Sequence, residues 1–473
     1  MNCHGVRGLV GLALAIAFVG PCIQAAEFST SDPSLRSSPE TPGVPTVRAL
    51  LQMNRTAEAL AQVQSLIADT PGDARLLSLL GDVLFRKSQF AEAREAYQAA
   101  LKTDPGCARA HWGLGRMALL DSRKPAARDE FALAYQLDSR DPDIILSYAD
   151  FVRESQARMT LLQNFLIVAS PQDRARREDA AARLEIETRL GQRTAAQLAS
   201  PYRSYHLKLA GYFPSGKAQS GLVVEARING GKPLRLVLDS GAHGIVLNGK
   251  AARTANLERL TKAGVGGLGP GIDAEAEVAL AQTVSIADLQ WNNCIVVAGR
   301  QDLVPGADGV IGTNVFEDFL VRIDPRSQTL DLSPLPDRGD NDHDAGGALR
   351  TYRVGHLLLV QGSRAGREGG YFLLDTGASY SSVANDDVLH PADGGVPLRG
   401  AQGAIQGKAL KADRVNLAGA KLADAHPVAI DLSGVSRAEG VEISGILGYP
   451  AISQSVVTIN YRDGLIEFPD SGR

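Results

Sequence analysis

Apolar and polar positions divide the chain into three stretches. Leu9 to Val19 is an apolar run of eleven residues, too short to span a bilayer with ease. From about Leu50 apolar residues recur at helical spacing, and the pattern itself returns after 34 residues. In one unit Leu77, Leu80, Gly81, Leu84, Ala93, Tyr97, Ala100 and Pro105 fill the slots. In the next, His111, Leu114, Gly115, Ala118, Ala127, Phe131 and Ala134 fill them, with Ser139 at the proline position. An earlier half-unit holds Ala59, Val63 and Pro71. A third, from Pro142, has Ile145, Tyr148 and Ala149 and then fades. After Tyr202 the period changes to two. Leu222 to Ile228 reads as a strand, and Asn229-Gly230-Gly231 as the hairpin turn that ends it. Short strands and glycine turns continue to the C-terminus.

The helical spacing predicts paired helices. Gly81, Ala93, Gly115 and Ala127 allow close approach, and Leu80, Tyr97, Leu114 and Phe131 fill the space between. No unit can bury its apolar face alone, so units stack. This pattern, over roughly residues 40–155, resembles the tetratricopeptide repeat. The resemblance implies either a groove for a protein partner or a stabilising helical spacer. The run Arg174-Ala175-Arg176-Arg177-Glu178-Asp179 is read as a solvated helix face.

Composition sets the outer bounds. The 473 residues allow two to four domains at roughly 100–200 residues each. With 44% hydrophobic and 22% charged residues the chain is not disordered. A net charge of −4 argues against nucleic acid as the main partner. Arg7, the apolar run and the small residues Ala25-Ala26 read as a secretory signal peptide, which implies an exported, periplasmic or secreted protein. With that segment removed, no later stretch is apolar enough to make a stable membrane span. The remaining cysteines, Cys107 and Cys294, fall in different regions and are not expected to pair.

The back half contains one unit written twice. Leu236-Val237-Leu238-Asp239-Ser240-Gly241-Ala242 returns 136 residues later as Phe372-Leu373-Leu374-Asp375-Thr376-Gly377-Ala378. At the same offset Gly309-Val310-Ile311-Gly312 matches Gly445-Ile446-Leu447-Gly448, Ile323 matches Ile459, and Leu330 matches Ile466. Tandem duplication of a β-domain of about 130 residues explains these matches together.

The paired Asp-Ser/Thr-Gly triplets, each after an apolar strand and each followed by an apolar-apolar-Gly motif, resemble the aspartic peptidases, specifically retropepsin-like domains. The resemblance covers about residues 218–335 and 348–469. It implies a catalytic pair, Asp239 and Asp375. Ser240 and Thr376 would tie the two loops together by hydroxyl hydrogen bonds. Gly241 and Gly377 would allow backbone to approach the acids, and Gly312 and Gly448 would support the site. Glycine-rich stretches containing Gly266, Gly267, Gly269, Gly403 and Gly407 would form flaps. Two neighbouring carboxylates share one proton, so the pair can serve as base and acid on a water, with no metal or other cofactor. His243 departs from the pattern. It either faces solvent or perturbs the acid pair.

The expected architecture is multidomain α plus all-β. A signal peptide (1–25), a linker (26–46) and a tetratricopeptide-like α-solenoid (47–200) precede two retropepsin-like β-barrel lobes, 201–336 and 348–473, joined by a linker (337–347). The implied activity is peptide-bond hydrolysis on a polypeptide substrate. The lobes would pair within one chain or between chains. The alternative is a non-catalytic peptide-binding scaffold of the cell envelope. Scattered histidines, with no His-Glu-x-x-His, give no zinc site. Gly264-x-Gly266-x-x-Gly269 lacks the preceding strand a dinucleotide site needs.

Overall fold

The computed structural model describes residues 11–12, 42–214, 218–265, 274–300, 302, 304–337, 348–364, 369–385, 391–400, 403–410, 415–417 and 427–468. These fall into two compact units. One holds the described residues from 42 to 184 together with 433–442. The other holds 11–12 and the described residues of 185–432 and from 443 onward.

In the first unit, helices alternate with tight turns: Val44–Gln52, Thr56–Asp69, Ala74–Arg86, Phe90–Thr103, Ala108–Leu120, Lys124–Leu137, Pro142–Ala149 and Ser155–Val168, followed by Arg174–Leu190, which leads out of the unit. The 34-residue period has a physical counterpart at each turn. Asn54, Ser88 and Ser122 take φ of 59°, 58° and 59°, left-handed conformations that end the first helix of each pair. Ala59, Ala93 and Ala127 are fully buried. So are Val63 and Tyr97, with Phe131 1% exposed, one helical turn further on. The small-against-large pairing holds: a Cβ added to Gly81 would meet the Tyr97 ring at 2.5 Å, and one added to Gly115 the Phe131 ring at 2.6 Å. Asp73 and Asp141 cap their helices by accepting from the N–H groups of Arg75 and Asp143, each at 2.8 Å.

The array continues past the point where the sequence pattern fades. Pro142–Ala149 and Ser155–Val168 form another helix pair, with Ile145, Leu162 and Phe165 buried between them. The arginine run after it is not simply solvated. Arg176 pairs with Asp143 at 2.7 Å, and Arg177 donates to the carbonyls of Leu166 and Ala169 at 2.6 and 2.9 Å. The Arg177 side chain thus satisfies the open carbonyl end of the preceding helix. Residues 433–442, expected within the second lobe, group instead with the helices. The Glu442 N–H donates to the Arg86 carbonyl at 2.9 Å.

The second unit holds both β lobes. In the first lobe, β1 (Gly221–Ile228) runs antiparallel to β2 (Leu234–Asp239). β2 pairs in parallel with β5 (Gly309–Gly312), β5 antiparallel with β3 (Ile245–Leu247), and β3 in parallel with β4 (Leu289–Gly299). The second lobe repeats this path through β6 (Leu357–Arg364), β7 (Tyr371–Leu374), β8 (Ser382–Ala384), β9 (Val428–Ile430) and β10 (Gly445–Leu447). The register is duplicated too: Leu236 faces Gly309, and Phe372 faces Gly445. Continuous apolar runs suit β2, β5, β7 and β10, because each is covered on both faces. Positive φ at Asn229 (51°) and Gly230 (69°) gives the β1–β2 turn the twist a hairpin requires.

A six-stranded antiparallel sheet joins the lobes. Its order is Leu349–Val354, Leu465–Glu467, Val457–Asn460, Phe319–Asp324, Thr329–Pro334 and Tyr205–Lys208. The central pair crosses between lobes, with Val321 opposite Ile459 and Ile323 opposite Val457. The lobes therefore pair within one chain. Cys107 and Cys294 are both free and buried.

Candidate active site

Asp239 ends β2 and Asp375 follows β7. Each strand is held in parallel by the apolar-apolar-Gly strand of its own lobe, and the Asp375 N–H donates to the Leu447 carbonyl at 3.0 Å. The chain leaves each strand in a tight loop, which turns the carboxylate toward the other lobe. Asp239 Oδ1 accepts from the Gly241 N–H at 2.7 Å. Asp375 Oδ1 accepts from Gly377 and Ala378 at 2.9 and 2.8 Å.

The residue after each acid fastens one lobe to the other. Ser240 Oγ donates to the Leu374 carbonyl at 2.8 Å and accepts from the Thr376 N–H at 3.0 Å. Thr376 Oγ1 donates to the Leu238 carbonyl at 2.9 Å and accepts from the Ser240 N–H at 3.0 Å. All four bonds are buried, and each saturates a backbone group at a strand end that water cannot reach. The glycines are then pressed against the acids of the opposite lobe. A Cβ on Gly241 would lie 2.8 Å from Asp375 Cγ, and one on Gly377 would lie 2.4 Å from Asp239 Cγ.

Both carboxyls are fully buried. Burial pushes Asp239 up to about 6 and Asp375 well above the ordinary carboxylate range, where the nearby Asp239 charge adds to the effect. The two side chains lie within hydrogen-bonding reach of each other. Their outer oxygens, Oδ2 of each, accept from no donor among the described residues. Two buried acids this close cannot both ionise at little cost.

The support glycines sit where backbone crosses backbone. A Cβ on Gly312 would meet the Ala242 carbonyl oxygen at 2.4 Å, and one on Gly448 the Tyr380 carbonyl oxygen at the same distance. Gly266, Gly267 and Gly269 lie outside the described residues. Gly403 opens the strand Gly403–Leu410, which pairs with Pro391–Gly400 in a hairpin. Gly407 lies within that strand, and a Cβ there would meet Val428 Cγ1 at 2.2 Å, so this glycine packs against β9.

Several neighbours escaped the sequence reading. His243 is exposed, yet its ring packs edge-on against His356 at 5.2 Å, and its Nδ1 lies 3.1 Å from Asn314 Nδ2. Buried His356 places Nε2 3.2 Å from the Gly241 carbonyl oxygen. Tyr461, which also feels the Asp239 charge, hydrogen-bonds Thr313, and burial pushes its hydroxyl up to about 12. No signal in the sequence marks His356. It is one of eight histidines, and the position 136 residues earlier is Ser220.

Residues 46–106 and 79–142 match the tetratricopeptide repeat family, and residues 224–315 match the aspartyl protease family. The chain thus joins helical repeats to an aspartyl protease domain of the retropepsin-like kind. No curated protein matches the chain. The family match lies in the first lobe. The second lobe repeats its strand pairing, register and acid-bearing loop. Among the described residues no helix is long and apolar enough to cross a membrane.

Proposed function

We propose that this chain is an aspartic endopeptidase whose catalytic groups are Asp239 and Asp375. The observation that carries the reading is the reciprocal interlock of Ser240 and Thr376, which holds two fully buried carboxyls face to face across the lobes. Such a pair acts as base and acid in one step. The ionised carboxylate takes a proton from a water as the water oxygen bonds to the peptide carbonyl carbon. The protonated carboxyl gives its proton to the carbonyl oxygen. The tetrahedral adduct then collapses: one of its hydroxyls returns its proton to the ionised carboxylate as the carbonyl re-forms, while the protonated carboxyl gives its proton to the amine nitrogen as the C–N bond breaks. The pair ends with one proton, as it began.

The helical repeats would recruit the polypeptide substrate or a protein partner, and the apolar N-terminal run fits an exported protein. The direct test is incubation with a denatured protein across about pH 3 to 7, the range in which paired carboxyls titrate. Cleavage should be lost in Asp239→Asn and in Asp375→Asn while both variants remain folded. Hydrolysis that survives both substitutions rejects the assignment.

A further inference from the structure

The lobes carry the same path around their acids, but one neighbour is not duplicated. His356 precedes β6 and lies 6% exposed beside the first-lobe loop. Its partner, the Gly241 carbonyl, can only accept, so Nε2 carries the hydrogen. The N–H of the same residue, Gly241, donates to Asp239 Oδ1 at 2.7 Å, while the next N–H, of Ala242, lies 3.3 Å from the Asp239 main-chain carbonyl oxygen. His356 Nε2–H therefore fixes from outside the residue whose own N–H holds the Asp239 carboxylate.

We propose that His356 is a positioning residue: reaching from the second lobe, it fixes Gly241 so that the Gly241 N–H stays on Asp239 Oδ1, favours the ionised form of the acid pair, and makes its two members unequal. The catalytic consequence rests on the peptidase reading; the hydrogen-bond chain does not.

The surroundings keep this imidazole a neutral donor. The His243 ring packs against it, and Arg353, from Leu349–Val354, adds positive charge. Arg353 is tied to Glu317 and lies 5.5 Å from the centre of the Tyr461 ring. Glu317 favours a charged His243, which opposes the effect only in part. Burial, with the His243 and Arg353 charges, holds His356 down at about 4. Its donation then persists through the range in which the acid pair holds one proton.

The test compares His356→Phe, which fills the space without a donor, with His356→Gln, whose Nε2 can still reach the carbonyl. His356→Asn, too short to reach it, is the second variant if the phenylalanine protein does not fold. The readouts are the titration of 13C-labelled aspartate carboxyls, assigned with Asp375→Asn, and the acid limb of peptide cleavage. The donor-less variants should raise the lower apparent pKa of the pair by about half a unit, roughly threefold in proton affinity, and the acid limb should move with it. The glutamine protein should track the wild type. An unchanged titration in the donor-less variants overturns the proposal, as does an equal shift in His356→Gln. If the wild-type protein cleaves nothing, the peptidase reading fails, and the carboxyl titration still decides the role of His356.

Discussion

Gly377 and Asp239 belong to opposite lobes, yet a single added carbon on Gly377 would lie 2.4 Å from the Asp239 carboxyl carbon. The site is built by letting each acid rest on the other lobe's backbone. Gly377→Ala should therefore cost about 1–3 kcal/mol of stability, as overpacking does, and should abolish peptide cleavage in a protein that still folds. Urea unfolding and a cleavage assay on one preparation measure both effects. Retained cleavage with a carbon at that position would show that the acids need not meet as described.

The interlocking hydroxyls make a second prediction. Ser240→Ala strips partners from the Thr376 N–H and the Leu374 carbonyl, both buried. Each group left unpaired costs about 1–3 kcal/mol, so the urea midpoint should fall sharply. Thr376→Ser, which keeps its hydroxyl, should stay close to wild type. An alanine variant as stable as the serine control would mean that the interlock contributes little.

The acids should oppose the stability of the fold at neutral pH. Their folded-state pKa values are raised, so between the unfolded value of about 3.9 and the folded value the native state binds more protons than the unfolded chain. Stability then falls as pH rises through that window. Asp375→Asn removes the penalty while preserving shape. Its melting temperature should exceed that of wild type at pH 7, and the difference should vanish as pH drops below 4. A gain that does not change with pH would trace to packing, not to charge.

In the helical unit, Gly81→Ala sets two effects against each other. Alanine favours the helix by about 1 kcal/mol over glycine, but its Cβ would sit 2.5 Å from the buried Tyr97 ring. The clash, about 1–3 kcal/mol, should win, and Gly81→Ala should lower the melting temperature. In a Tyr97→Leu background the same change should be neutral or stabilising. A double-mutant cycle without coupling would refute the contact.

What the sequence disclosed was whatever repeats or alternates. The 34-residue spacing and the 136-residue duplication located the helix pairs, β2, β5, β7 and β10, and the acids Asp239 and Asp375, because those features are written locally and twice. Features that depend on long-range contact were not legible. His356 matters through a carbonyl 115 residues away, and its duplicate position holds serine. Arg176 and Arg177 looked solvated because charge alone does not reveal that Asp143 and the end of a neighbouring helix lie beside them. The close packing of Gly407 against Val428 was not legible either, because composition does not show which neighbour a glycine meets.

The six-stranded sheet has a consequence for control. Since Phe319–Asp324 of one half hydrogen-bonds Val457–Asn460 of the other, the acids are brought together by folding itself, at any dilution. A site shared between two separate chains can be switched off by keeping those chains scarce. This one has given up that switch, so whatever restrains the proposed activity must act on access to the acids or on their own protonation.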